Sequence, residues 1–151
     1  MSNVSTVYDA LVTRIGTVLS SHRRLTNPYS IEQNMEQILK KGWGIAWGSG
    51  ENTKRFLSDI NSIKRLFPVI ICREYKAREL DITTKASTEK LLFEDQKLLI
   101  TDFKNQNQLT VVQGINHVTF SSDEGIQKVA FEGKDQFLFL TSIFEVEYFE
   151  T

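Results

Sequence analysis

Between Val4 and Leu19 the apolar residues Val4, Val7, Tyr8, Leu11, Ile15, Val18 and Leu19 recur three and four apart, with Ser5 and Asp9 early and basic residues at the end. One apolar stripe and a charge order that complements the helix dipole predict an amphipathic helix over residues 5 to 22. "TNPYSIEQNMEQILKKG" offers Asn27 or Ser30 as an N-cap and Ile31, Met35, Ile38 and Leu39 as one face. A short second helix is expected there, stopped by Gly42. In "DITTKASTEKLLFEDQKLLITDFKNQ" a Thr or Ser cap precedes Leu91, Leu92, Leu98, Leu99 and Phe103, which predicts a third helix from about residue 84 to 104.

The remaining pattern has period two. In "GWGIAWG" Trp43, Ile45 and Trp47 share one face of a strand, and Gly42, Gly44, Ala46 and Gly48 leave the other bare. A bare face admits another backbone, most simply a helix, at close range. "RLFPVIICREYKARE" reads as a strand from about Phe67 to Lys76, with Pro68 marking an edge or bulge near its start. "HVTFSS" and "IQKVAFEG" flank Asp123-Glu124-Gly125 as a hairpin around a turn. The closing "DQFLFLTSIFEVEYFE" places Leu138, Leu140, Phe144, Val146 and Tyr148 on one parity and Thr141, Glu145 and Glu147 on the other. The order ααββαβββ predicts one α+β domain over residues 1–151, a mainly antiparallel β-sheet with α-helices packed on one face.

Glycine density alone suggests a phosphate loop, but Gly42, Gly44, Gly48 and Gly50 match neither GxGxxG nor GxxxxGK[ST]. Those spacings converge backbone N–H groups on an anion at a helix start, so no nucleotide or other cofactor is expected. "GSGENTKR" reads instead as a loop. The chain carries two histidines, His22 and His117, without partners at metal-ligand spacing, so no metal is expected. Cys72 lies in an apolar run, where a buried inert thiol is the ordinary reading. The acid pairs Glu94-Asp95 and Asp123-Glu124 fall on a helix and in a predicted turn, positions of solvated acids. No nucleophile elbow is present, so the roles of nucleophile, base and oxyanion donor cannot be filled. The chain is expected to be no enzyme.

With 151 residues the chain can bury a core without disulfides, and no apolar run approaches a bilayer span. The start "MSNVSTVYDALVTRIGTVLSSHRR" lacks the order of a signal peptide, which predicts a protein made and kept in a cytoplasm, without a membrane partner. Charge is uneven despite a net value of −1. Lys54, Arg55, Lys64, Arg65, Arg73, Lys76 and Arg78 make one segment basic, and Asp123, Glu124, Glu132, Asp135, Glu145, Glu147 and Glu150 make the C-terminal part acidic. Solvated surface explains any one of these residues. As a pattern, opposite patches on one subunit suit a head-to-tail contact between copies, with Arg73, Lys76 and Arg78 facing Glu145, Glu147 and Glu150 of a neighbour. The alternative is a small nucleic-acid-binding module using residues 54 to 78, although no aromatic residues are interleaved there in a recognisable motif, so no specific nucleic acid is expected.

The opening helix "VYDALVTRIGTVL", the "GWGIAWGSGEN" strand and turn, "FPVIICREY", the helix "TEKLLFEDQKLLITDF" and the closing "FLFLTSIFEVEYFE" together resemble the tail terminator and tail completion (neck) proteins of long-tailed bacteriophages. The resemblance covers nearly the whole chain. It implies a structural virion protein that forms a ring, usually a homohexamer, on the last ring of the tail tube, ends its polymerisation, and offers its other face to the head completion or connector protein. Implied partners are the chain itself, the tail tube protein and, in a contractile tail, the sheath protein. Implied locations are the tail–neck junction of the virion and the host cytoplasm during assembly. The family carries no catalytic residues. Glu51, Asn52, Lys54 and Arg55 would then form a loop able to order against the tube or a neighbour.

Overall fold

The first helix, α1, spans Val4–Val18 and begins where Asn3 accepts a hydrogen bond from the Thr6 backbone N–H at 2.9 Å. Satisfying that orphan donor fixes the helix start. Val7, Leu11 and Ile15, each four residues apart, are its buried stripe. The helix ends earlier than its apolar pattern suggests: Arg23–Arg24 leave it as a two-residue strand, β1. The structure, a computed structural model, describes residues 3–57, 60–75, 82–105, 115–131 and 134–150.

In place of one second helix the chain makes a 3₁₀ turn at Ile31–Gln33 and a single α-turn, α2, at Glu36–Leu39. Buried Asn34 causes the interruption. Its amide donates to the carbonyls of Asn27, Ser30 and Ile31, and its Oδ1 accepts from the Asn27 N–H and the Thr26 hydroxyl. These bonds compete with helix continuation. Gly42 does not stop a helix, because it lies inside strand β2, Lys41–Ile45.

The other strands are β3 (Gly50–Leu57), β4 (Ile60–Glu74), β5 (Ile115–Phe131) and β6 (Lys134–Glu150), with the long helix α3 at Ile82–Lys104 between β4 and β5. They form a mixed sheet in the order β1-β2-β4-β6-β5, with β3 also on β4. Only β1–β2 is parallel among the described pairs. The α+β architecture expected from the element order is therefore present.

Three local expectations change. The expected "GSGENTKR" loop is mostly β3, paired antiparallel with β4 from Gly50↔Arg65 to Leu57↔Ile60. Asp123-Glu124-Gly125 is not a hairpin turn: β5 runs straight through it, and the register step from Asp123↔Ser142 to Ile126↔Leu140 shows one extra residue on β5. Gly125 supplies the left-handed φ of 75° for that bulge, and its N–H donates to Asp123 Oδ1 at 2.9 Å. Pro68 lies within β4, not near its start. Its missing donor does no harm, because β2 ends opposite Val69 and β3 begins opposite Arg65. The proline faces the break between two partner strands, where its carbonyl accepts from the Ala46 N–H at 2.9 Å.

One sheet face carries α1 and α3 over the main core. Trp43, Ile45, Phe67, Val69, Ile71, Leu138, Leu140, Phe144, Val146 and Tyr148 meet Val7, Leu11, Ile15, Leu92, Leu99 and Phe103 there. Ser142 occupies the same parity and is fully buried, and Gln96 of α3 satisfies it with a 2.9 Å bond. On the opposite face a smaller cluster joins Leu25, Ile31 and Leu39 to Ala46, Ile70, Cys72 and Phe137. The bare glycine face is used here. A Cβ on Gly44 would stand 3.0–3.2 Å from Leu25 and Pro28, and one on Gly42 would stand 2.5 Å from the Ile38 carbonyl oxygen. The approaching backbone is therefore mainly the connecting segment and the single turn of α2.

Candidate assembly surface

Groups with latent chemistry are mostly engaged in holding the fold. Cys72 is buried, and burial pushes its thiol up to about 12. His22 and Asp95 are both deeply buried, with His22 Nε2 3.1 Å from Asp95 Oδ2. An ionised carboxylate only accepts, so Nε2 carries the proton. Arg73 completes the cluster, its Nε and Nη2 donating to the two carboxylate oxygens at 2.7 and 2.9 Å. Burial pushes the Asp95 carboxyl up, but the hydrogen bonds and charges of His22 and Arg73 outweigh it and hold the group below the usual carboxylate range. His22 Nδ1 is buried without a hydrogen-bond partner. His117 lies at the other end of the sheet, 3.8 Å from Glu147. Among the described residues no group of three His, Cys, Asp or Glu could hold a metal ion, and no helix is long and apolar enough to cross a membrane.

One of the expected solvated acids differs from that reading. Asp95 is buried, whereas Glu94 beside it is exposed. Asp123 and Glu124 are both exposed, and Asp123 accepts from the Gly125 N–H on one oxygen and from Gln96 Nε2 on the other, at 3.2 Å. A groove of about 680 Å³ between α1 and α3 exposes Leu91 and Leu98 along its rim, and the Arg14–Asp102 ion pair lines it. That pair satisfies its own charge in both directions, since Arg14 Nε also donates to Asp102 Oδ2 at 2.7 Å.

The structure separates the residues expected to join subunits. Arg73 is committed to Asp95 inside the chain and is not a free interface cation. Lys76 and Arg78 lie outside the described residues. Glu145 and Glu147 are on the interior strand β6, directly beside β4: Glu147 is opposite Lys64, and the Lys64 ammonium is 3.9 Å from Glu145. Glu150 pairs in register with Asn61 on the same seam. Glu51 and Asn52 are exposed on β3, where Lys54 and Arg55 pair with Ser62 and Asn61. The proposed contact loop is thus an edge strand.

The sheet has two lateral edges among the described residues. One is formed by β1 in the upper half and β3 in the lower half, the other by β5 along its whole length. An open strand edge presents unpaired N–H and C=O groups, a ready template for another strand. Sequence patterning missed both members of the first edge: Arg23–Arg24 looked like a basic helix end and β3 like a glycine-rich loop. Alternating exposure is weak in an edge strand, so the informative signal was pairing with β4, which only the fold reveals. No family model matches the chain, and no curated protein is measurably similar to it.

Proposed function

We propose that this protein is a structural subunit of a phage neck, a tail-terminator-type chain that forms a ring on the tail tube, ends tube growth and joins the tail to the head connector. The single observation supporting the reading is that, among the described residues, the sheet ends in β1 and β3 on one side and in β5 on the other. Head-to-tail rings join two different surfaces of identical chains, and two separate edges supply such a pair. The engagement of Cys72, His22, Asp95 and Arg73 in internal packing and bonding favours a protein that acts by contact.

The test is electron microscopy of the purified chain mixed with a tail tube protein. Rings seated on tube ends, with shorter tubes as the chain is titrated in, are the expected result. Tubes that grow unaltered, with no density of this protein at their ends, would overturn the reading.

A further inference from the structure

We infer that the ring contact is an antiparallel strand pairing in which β5 of one copy lies along β1 and β3 of the next, keyed by Asp123 and Glu124 against Arg23 and Arg24. The inference rests on the ring reading and names the surface that would close it.

Strand direction comes first. β1 runs parallel to β2, and both β2 and β3 run antiparallel to β4. β6 is antiparallel to β4, and β5 to β6, so β5 points with β4 and opposite to β1 and β3. Rotation about an axis along the strands preserves each direction. The β5 edge of one copy therefore meets the β1 and β3 edge of the next in antiparallel sense, the slightly more stable pairing.

Height comes second. Following the rungs across the sheet, Arg24 is level with Trp43, Ile71, Leu140 and finally Ile126, and Arg23 ends level with Gln127. Lower down, Gly50 is level with Arg65, Val146 and Val118, and Asn52 with Ile63, Tyr148 and Ile115. One continuous β5 therefore stands opposite both short strands of a neighbour. Its upper part faces β1 just beyond the bulge that carries Asp123 and Glu124, and its lower part faces β3.

Charge selects the partner. Arg23 and Arg24 are exposed and meet no carboxylate among the described residues. Arg24 is nevertheless held in place, its guanidinium 5.7 Å from the Trp43 ring centroid and donating to the Tyr8 hydroxyl at 3.1 Å. Such a cation is preorganised for an anion. Arg24 stands level with Ile126, one residue beyond the bulge, so its contact with Glu124 and Asp123 would be made by side chains reaching along the edge and not by a directly facing rung. A twofold pairing of β5 with β5 centred on the bulge would oppose acid to acid, and one of β1 with β1 would oppose arginine to arginine. The head-to-tail arrangement brings opposite signs together, and like-charge repulsion disfavours the pairings that centre on either patch.

Two charge-reversed proteins test this together. Variant one, Arg23→Glu with Arg24→Glu, has two acidic edges; variant two, Asp123→Arg with Glu124→Arg, has two basic edges. Each is assayed alone and mixed in equal amounts with the tail tube protein, by mass photometry and electron microscopy. Loss of rings from each variant alone and their recovery in the mixture, with the two chains alternating, is the expected result. Recovery also shows that both variants fold. Rings from either variant alone, or none from the mixture while wild type forms them, would overturn the edge pairing and leave the ring reading intact. Failure of wild type to form rings on tubes would remove both.

Discussion

Arg73 lays its guanidinium against both oxygens of Asp95, at 2.7 and 2.9 Å, and so ties the end of β4 to the middle of α3. His22 reaches the same carboxylate from the turn after α1. One acid thereby joins three elements. Asp95→Asn leaves the part-buried Arg73 guanidinium without its counter-charge, and a cost below the roughly 3–5 kcal/mol of a fully buried broken pair is expected. Arg73→Glu would place a second acid beside Asp95 and should fail in folding before assembly is reached. The pH dependence has a definite sign. Because the folded Asp95 carboxyl lies below its unfolded value of about 3.9, it contributes stability above that pH and loses it as pH falls further. The gap between the urea midpoints of wild type and Asp95→Asn should begin to close as pH falls below about 4. A constant gap down to the acid limit would show that the Asp95 charge is not the source.

Close packing on the glycine face predicts an unusual order of sensitivity. Gly44→Val should cost roughly 1–3 kcal/mol, the range for overpacking, because branched atoms would enter the space of Leu25 and Pro28. Gly44→Ala should cost less, as Leu25 can yield slightly. Gly42→Ala, though only a methyl, should exceed Gly44→Ala, because it meets the Ile38 carbonyl of the backbone. Urea unfolding of the three variants checks the order. Wild-type stability in Gly42→Ala would remove the close approach from the account.

At Gly125 the strain is conformational and nothing else. A Cβ there would meet no atom within 4 Å, yet φ is 75°. Gly125→Ala should cost about 1 kcal/mol, the smaller end of the left-handed penalty, and Gly125→Val more. Gly125→Asn should be milder than either, since asparagine visits that region readily. Equal midpoints for Asn and Val would indicate that the bulge rearranges.

DNA binding should be weak and insensitive to sequence. Within the basic segment, Arg73 is paired with Asp95, Lys64 lies 3.9 Å from Glu145, and Arg65 donates to the Gly48 carbonyl at 3.0 Å and the Tyr148 hydroxyl at 3.3 Å. A fluorescence titration near physiological salt should give dissociation constants no tighter than about 10⁻⁴–10⁻⁶ M, the non-specific range. Sub-micromolar, sequence-dependent binding would support the nucleic-acid alternative.

Periodicity revealed the long elements because burial imposes it. Of the apolar set expected on α3, Leu92, Leu99 and Phe103 are buried while Leu91 and Leu98 are exposed, and the alternating Leu138 to Tyr148 set lies where spacing placed it. What stayed hidden depends on partners distant in sequence. Glycine, asparagine and lysine made β3 look like a loop, since an edge strand with little burial need not alternate. Asp123-Glu124-Gly125 carries hairpin-turn chemistry, but the pairing of β6 along both its sides makes it a bulge. Arg73 looked available because Asp95, 22 positions away, faces it only after α3 crosses the sheet.

The seam between β4 and β6 has a kinetic meaning. β3 with β4, and β5 with β6, are local hairpins, whereas the seam aligns partners as distant as Asn61 and Glu150 and as near as Glu74 and Phe137. Loop-closure entropy delays such joining until favourable contacts can compensate. The two hairpins can therefore form before the seam between them, which brings Phe67 opposite Phe144, is closed. Until that closure, four strand edges are open instead of two, so the nascent chain is most prone to wrong pairing in the interval before its own halves meet.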